Sequence, residues 1–156
     1  MSFHYRGKVK SDWIDYNGHM QDAYYGLVFS YAVDAFQDAV GFDAAYRQAT
    51  GCTIYLVEEH KYFVKEVKAG DPLEVHIDLL AVTKKLFHLH CRMVSDGREV
   101  AVSELIEMHV QQKPIPKGVT IPSTILEKMK GFYLAPEAQE NIGLRSRAMS
   151  IIRRAE

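Results

Sequence analysis

The sequence predicts an α+β domain in which one long helix is held by a curved antiparallel sheet. Three observations predict it. Residues 22–40 carry apolar side chains at helical spacing. From residue 53 to residue 110 the apolar period changes to two. Turn signals at Ala69-Gly70-Asp71-Pro72 and Asp96-Gly97 divide that β region into strands. With 156 residues, 47% apolar and 25% charged, the chain is long enough for one well-buried core.

Phe3–Lys10 reads as a first strand. Ser11–Asp22, with its Asp, Asn and Gly residues, reads as a loop. In the helix that follows, Tyr25, Val28, Phe29, Ala32, Phe36, Ala39 and Val40 form one apolar stripe, while Ser30, Asp34, Gln37 and Asp38 occupy the other face. Asp22 is the expected N-cap, because a carboxylate accepts from the free amides of a first turn, and Gly41 is the expected stop. Phe42–Ala49 reads as a short second helix ended by Thr50-Gly51. Thr53–Glu66 then reads as a strand.

Leu73, Val75, Ile77, Leu79 and Ala81 alternate with polar residues, as do Phe87, Leu89, Cys91 and Met93. Asp96-Gly97 marks a hairpin. Val100, Val102, Ile106, Met108 and Val110 continue one face of the last strand, with Glu104 as its odd member. The expected order is therefore strand, loop, long helix and four long strands in hairpin order.

Pro114–Pro122 reads as an extended linker, since proline cannot donate to a ladder. Ser123–Lys130 reads as a short helix with a serine cap. Residues 131–156 read as a tail ending in a basic helix around Arg145–Arg154. The boundaries are thus 1–113 for the folded domain and 114–156 for the linker, short helix and tail. One helix covers one face of such a sheet. The other face or the edges need a partner, and a second copy of the chain is the economical one.

Nineteen Lys and Arg against 20 Asp and Glu leave a formal net charge of −1, which argues against a nucleic-acid partner. No stretch approaches the ~18 uninterrupted apolar residues of a membrane span. Residues 1–7 lack the apolar core of a signal peptide, and Cys52 and Cys91 lack framework spacing. The cytoplasm is the expected compartment.

The chemistry concentrates in Asp12–Asp22. This loop brings a carboxylate, an amide and an imidazole to the head of the long helix, where unpaired amides and about half a positive charge stabilise an oxyanion. A carboxylate approaching that point attacks a carbonyl or deprotonates a water. These are the parts of acyl hydrolysis. The alternative is an ordinary capped loop with Asp15 and Asn17 in Asx-turns.

Asp15-Tyr16-Asn17-Gly18-His19-Met20, followed by Tyr25 and the helix, resembles the loop of the hotdog-fold acyl-thioester hydrolases, the 4-hydroxybenzoyl-CoA thioesterase-like group and its acyl-ACP relatives. Ala69-Gly70-Asp71-Pro72-Leu73 resembles that family's turn before a strand. The resemblance spans about Phe3 to Gln112. It departs at Gln21 and Asp22, where the family usually carries two Asn.

Asp15–His19, Val33-Asp34-Ala35, Tyr46, Val57-Glu58-Glu59-His60, Leu86-Phe87-His88 and Glu107–Val110 are closer still to the betainyl-CoA thioesterases of carnitine breakdown. The resemblance implies a hotdog fold, an acyl-CoA substrate, no metal or other cofactor, and a homodimer or dimer of dimers. It implies Asp15 as nucleophile or general base, Asn17 as an orienting group and His19 in proton handling, with a backbone amide near Asp22 or Ala23 polarising the carbonyl.

A quaternary ammonium offers no hydrogen bond, so aromatic faces and a carboxylate suit it best. Trp13, Tyr16, Tyr24 and Tyr25, together with Asp22 and Glu59, are the candidate substrate contacts. Glu58 and Glu59 point opposite ways on a strand. His88 and His90 share a face but lack any metal-site spacing pattern. The other readings are a different small acyl group, aromatic or short-chain, or a non-catalytic acyl-thioester binding module.

Overall fold

A computed structural model describes residues 1–151. The elements are β1 (Phe3–Lys8), α1 (Asp22–Val40), α2 (Ala44–Thr50), β2 (Cys52–Phe63), β3 (Pro72–Val82), β4 (Leu86–Ser95), β5 (Arg98–Gln111), β6 (Lys117–Gly118), α3 (Ser123–Lys130) and α4 (Pro136–Gln139). One antiparallel sheet runs β1-β3-β4-β5-β2, with β6 paired to β5. It curves around α1, as the α+β hotdog reading expects.

The apolar stripe of α1 enters the core as its period dictates. Tyr25, Val28, Phe29, Ala32, Val33, Phe36 and Val40 are buried against Val75, Ile77, Leu79, Phe87, Leu89 and Met93 of the sheet. Gly41 ends the helix at φ 110, a left-handed conformation that costs glycine little. Asp96 and Gly97, at φ 48 and 74, make the tight turn between β4 and β5 that their sequence predicts.

The strand order departs from hairpin order. β3, β4 and β5 form a meander, but β2 crosses to the far side and pairs with β5, while β1 pairs with β3. Helix α1 lies between β1 and β2, so the two strands end on opposite edges with the helix inside the curve. The expected caps also differ. Gln21 precedes α1 without a side-chain cap, and Asp22 is the first helical residue. The entry is held instead by the Gln21 N–H donating to the Trp13 carbonyl at 2.9 Å. Pro122, not Ser123, precedes α3, and its carbonyl accepts from Ile125 and Leu126.

Residues 114–151 pack on the sheet. β6 adds a two-residue rung to β5. Ile121, Ile125 and Met129 join the same core as α1. Beyond the end of β1, Leu79 exchanges backbone bonds with Phe132 and Leu134, both at 2.9 Å. The segment then crosses the sheet face turned away from α1. There Tyr62 Oη donates to the Arg145 carbonyl at 3.0 Å and His90 Nε2 to the Leu144 carbonyl at 2.9 Å. The basic helix expected around Arg145–Arg154 lies partly outside the described residues, and its described part is not helical. The outer face is thus covered in part by the chain itself. The edge of β2 remains open, with Tyr55, Leu56, Val57, Phe63 and Val64 exposed.

Candidate active site

The loop before α1 closes on itself. Ile14 and Met20 bridge, the Asp15 N–H donates to the His19 carbonyl and the Gly18 N–H to the Asp15 carbonyl, both at 3.0 Å. Gly18, at φ 80, makes the tight return. The Asp15 carboxylate accepts the Asn17 backbone N–H at 2.8 Å, so the Asx-turn is present. Asn17 orients Asp15 through its main chain, and its own side chain is exposed. Asp15 and His19 are half-buried. Asp15's Oδ1 is held in this turn, and its Oδ2 accepts from no described residue.

At the head of α1 the Tyr24 N–H turns back to the Gln21 carbonyl at 3.0 Å, while the Asp22 and Ala23 amides donate to no described residue. These are the orphan donors of a helix start. A cleft of about 270 Å³ opens beside them, lined by Met20, Asp22, Tyr25, Phe63, Lys65 and Glu66. Met20 pins the loop to its wall by donating its N–H to the Val67 carbonyl at 2.9 Å.

The candidate aromatic contacts separate. Trp13 is buried, stacks on half-buried Tyr24 at 5.4 Å and lies under the Lys10 ammonium at 5.2 Å, so its contacts are internal. Tyr16 is 97% exposed at the loop tip. Tyr25 lines the cleft, donates its hydroxyl to the Lys65 carbonyl at 3.0 Å and meets Phe63 edge-on at 5.5 Å. Burial raises its phenol above the usual range.

Glu59 faces α1, and a bulge decides this. The β2–β5 register slips between Leu56 and Glu58, so Leu56 pairs with Glu107 and Glu59 with Leu105 on the same sheet face. Glu58 is left exposed on the other. Glu59 accepts from Ser103 Oγ at 2.8 Å and pairs with Lys61 Nζ at 2.5 Å. It lines a small cavity of about 90 Å³ between α1 and the β2–β5 pair, with Gly26, Ser30, Asp34, Leu56 and Glu107.

Residues 9–129 match the profile of the family described as the thioesterase-like superfamily. A betainyl-CoA thioesterase of Pseudomonas aeruginosa is 41% identical over 136 residues, 86% of this chain and 85% of its own length. The chain belongs to the thioesterase-like superfamily. An L-carnitine dehydrogenase/betainyl-CoA thioesterase of Agrobacterium fabrum is 38% identical over 122 residues, which is 78% of this chain and 25% of that longer protein. A Staphylococcus aureus protein solved in complex with CoA superposes at TM-score 0.82 with 24% identity, covering 97% of this chain and 96% of that one, and shows the fold.

The protein is therefore a thioester hydrolase, and no described helix is long and apolar enough to cross a membrane. Several polar groups of this thioesterase escaped the sequence reading as site residues. Glu107 is only 5% exposed, and its Oε2 accepts from Gln37 of α1 at 2.9 Å. Burial pushes its carboxyl up to about 8, helped by the Asp34 and Glu59 charges and opposed by Gln37. Burial and neighbouring Asp38 raise Asp34 against the pull of Arg47. The legible signal for Glu107 was a carboxylate between Ile106 and Met108 in an otherwise apolar strand.

The histidines of β4 belong to the outer face. His88 Nε2 donates to Glu104 Oε1 at 2.8 Å, and His90 is held by Leu144. Among the described residues the grouping with metal-ligand spacing is His4, Glu74 and His76, at the β1–β3 edge. Arg6 already pairs with that Glu74 at 2.9 Å, and the group shares no residue with the cleft or the cavity.

Proposed function

We propose that the thioesterase hydrolyses betainyl-CoA to glycine betaine and CoA, in the cytoplasm, as a homodimer or dimer of dimers. The observation that supports the reaction is the Asp15 turn set in sequence just ahead of the Asp22 and Ala23 amides at the head of α1, where Met20 and Asp22 line an open cleft. The thioester carbonyl oxygen accepts from the Asp22 or Ala23 amide, which stabilises the charge that develops on it.

Asp15 serves in one of two ways. As general base it takes a proton from water as the water oxygen bonds to the carbonyl carbon; the C–S bond then breaks and CoA leaves as the thiolate. As nucleophile its carboxylate bonds to that carbon, the thiolate leaves, and water opens the mixed anhydride. Both routes consume one water and give a carboxylate and CoA. His19, on the same turn, carries the proton, and Asn17 shapes the turn.

The acyl group is argued from the two relatives named for betainyl-CoA and from Asp22 and Glu66, carboxylates on the cleft wall that suit a small cation. The dimer is argued from β2, whose free edge and exposed apolar side chains need cover. The test is an acyl-CoA panel read by released thiol. Betainyl-CoA should exceed its neutral isostere, 3,3-dimethylbutyryl-CoA, by at least ~10-fold in kcat/KM. Equal rates on the two would remove the betaine assignment and leave the thioesterase standing.

A further inference from the structure

A square of polar side chains stands on the outer face of the sheet, at its β1 edge. Phe3 and Tyr5 of β1 and Val75 and Ile77 of β3 pack into the core, so alternation turns His4, Arg6, Glu74 and His76 outward. The register sets them in two facing pairs, His4 across from His76 and Arg6 across from Glu74.

Within the square, two imidazoles converge on one carboxylate oxygen. His4 Nδ1 lies 2.9 Å and His76 Nε2 2.8 Å from Glu74 Oε1, and the two ring centroids are 4.3 Å apart, tilted at 47°. Arg6 Nε holds the other oxygen, Oε2, at 2.9 Å. A neutral imidazole carries its proton on either nitrogen. With that proton on the nitrogen away from Glu74, each ring turns a lone pair toward the same point as Oε1. Two imidazole nitrogens and a carboxylate oxygen suit a first-row divalent cation, and zinc takes such a set with water in the fourth position.

The spacing fits. The three ligand atoms lie within 4.8 Å of one another. Zinc bonds of about 2.0–2.1 Å set tetrahedral ligands about 3.3–3.4 Å apart, so the two contacts to Oε1 need to open by only about half an ångström. Exposed His4 and half-buried Glu74 and His76 have that freedom. Arg6 then orients the ligating carboxylate from behind. A recess of about 480 Å³, lined by Arg6, Glu74, His76 and Asp96, leaves room for the water.

We infer that His4 Nδ1, His76 Nε2 and Glu74 Oε1 bind one Zn2+ per chain, which ties the edge strand β1 to β3. The ion takes no step in hydrolysis, because the group shares no residue with the cleft at the head of α1. Arg6, and Arg92 across from His76 on β4, place positive charge beside it and hold the affinity to the micromolar range.

The experiment titrates zinc chloride into chelator-treated protein by calorimetry at neutral pH and follows thermal unfolding with and without zinc. Wild type should bind one Zn2+ per chain with a micromolar Kd. With zinc at about 100 times Kd, its melting temperature should rise by roughly 5–10 °C. His4→Ala and His76→Ala should each weaken binding by at least ~10-fold, and the double variant should lose both the binding and the shift. Should a variant fail to fold, the imidazole nitrogen resonances of wild type decide, since those of His4 and His76 should be the ones that zinc moves. No zinc bound by wild type, undiminished binding in the double variant, or movement confined to other histidines overturns the inference.

Discussion

Glu104 and Glu107 stand three residues apart on β5, face opposite sides of the sheet, and are held in opposite states of charge. Burial pushes Glu104 up, but His88, the Arg145 guanidinium and the Ser146 amide outweigh it and hold it down to about 2. Glu107 has Gln37 alone and is pushed up to about 8. The signs of their linkage to folding are therefore opposite. Glu104 contributes stability above its unfolded pKa of 4.5 that is lost as pH falls through about 2. Glu107 contributes stability that is full below 4.5 and lost as pH rises through about 8. Removing the Glu107 charge with Glu107→Gln should flatten that alkaline loss. Between about pH 5 and pH 9 the variant should gain on wild type by up to a few kcal/mol in chemical denaturation without ligand. Parallel stability curves would show that Glu107 titrates normally.

Much of this fold was legible because one period governed each segment. The α1 stripe, the β3–β5 meander and the Asp96-Gly97 turn follow from spacing and backbone preference. Strand order was not legible, because alternation in β2 says that it has two faces and not which neighbour it takes. The bulge at Leu56–Glu58 was equally silent, yet it decides that Glu59 rather than Glu58 meets the helix. At the site, the Asp15 turn was legible as a local motif. The cavity was not, because Asp34, Gln37, Glu59 and Glu107 come from three elements and only the crossing of β2 brings them together. Aromatic density alone did not show that the Trp13 and Tyr24 rings stack on each other.

The outer-face network makes a separate prediction about the C-terminal segment. Glu104, 1% exposed, accepts from Arg145 Nη2 at 3.0 Å, Arg145 Nε at 3.1 Å, the Ser146 N–H at 2.6 Å and His88. Glu104→Gln keeps the shape and removes the charge that gathers these donors. It should cost about 1–3 kcal/mol and loosen residues 144–146, seen as faster amide exchange at Ser146. Thioesterase turnover should change far less than stability. Unchanged stability would mean that the segment is held by its apolar contacts alone.

Assembly is tested at the β2 edge. An open edge strand with exposed Leu56, Val57 and Phe63 is a pairing surface, and covering it across a two-fold axis extends the sheet. Light scattering at micromolar concentration should find a dimer or larger. Val57→Lys, which puts a charge at the bulge of that edge, should shift the species toward monomer. A monodisperse, fully active monomer of the 17.8 kDa wild-type chain would refute the assembly.

The assignment of Asp15 is the most direct to test. Its Oδ1 takes the Asn17 N–H at 2.8 Å, a bond that the amide oxygen of asparagine can also accept. Asp15→Asn therefore keeps the turn and its size and removes only the charge. Whether Asp15 bonds to the carbonyl carbon or takes a proton from water, the uncharged amide can do neither at a useful rate. Hydrolysis should fall by at least ~10² in kcat, with the melting temperature and KM close to wild type. A single turnover in 18O-water identifies the nucleophilic route wherever the anhydride opens at the protein side. A nucleophilic Asp15 is opened at its own carboxyl or at the acyl carbonyl, and cleavage at the former leaves 18O on the protein. A general base, like an anhydride opened at the acyl carbonyl, leaves none. Near wild-type turnover in Asp15→Asn would move the chemistry away from this turn, and the free amides at the head of α1 would then serve another carboxylate.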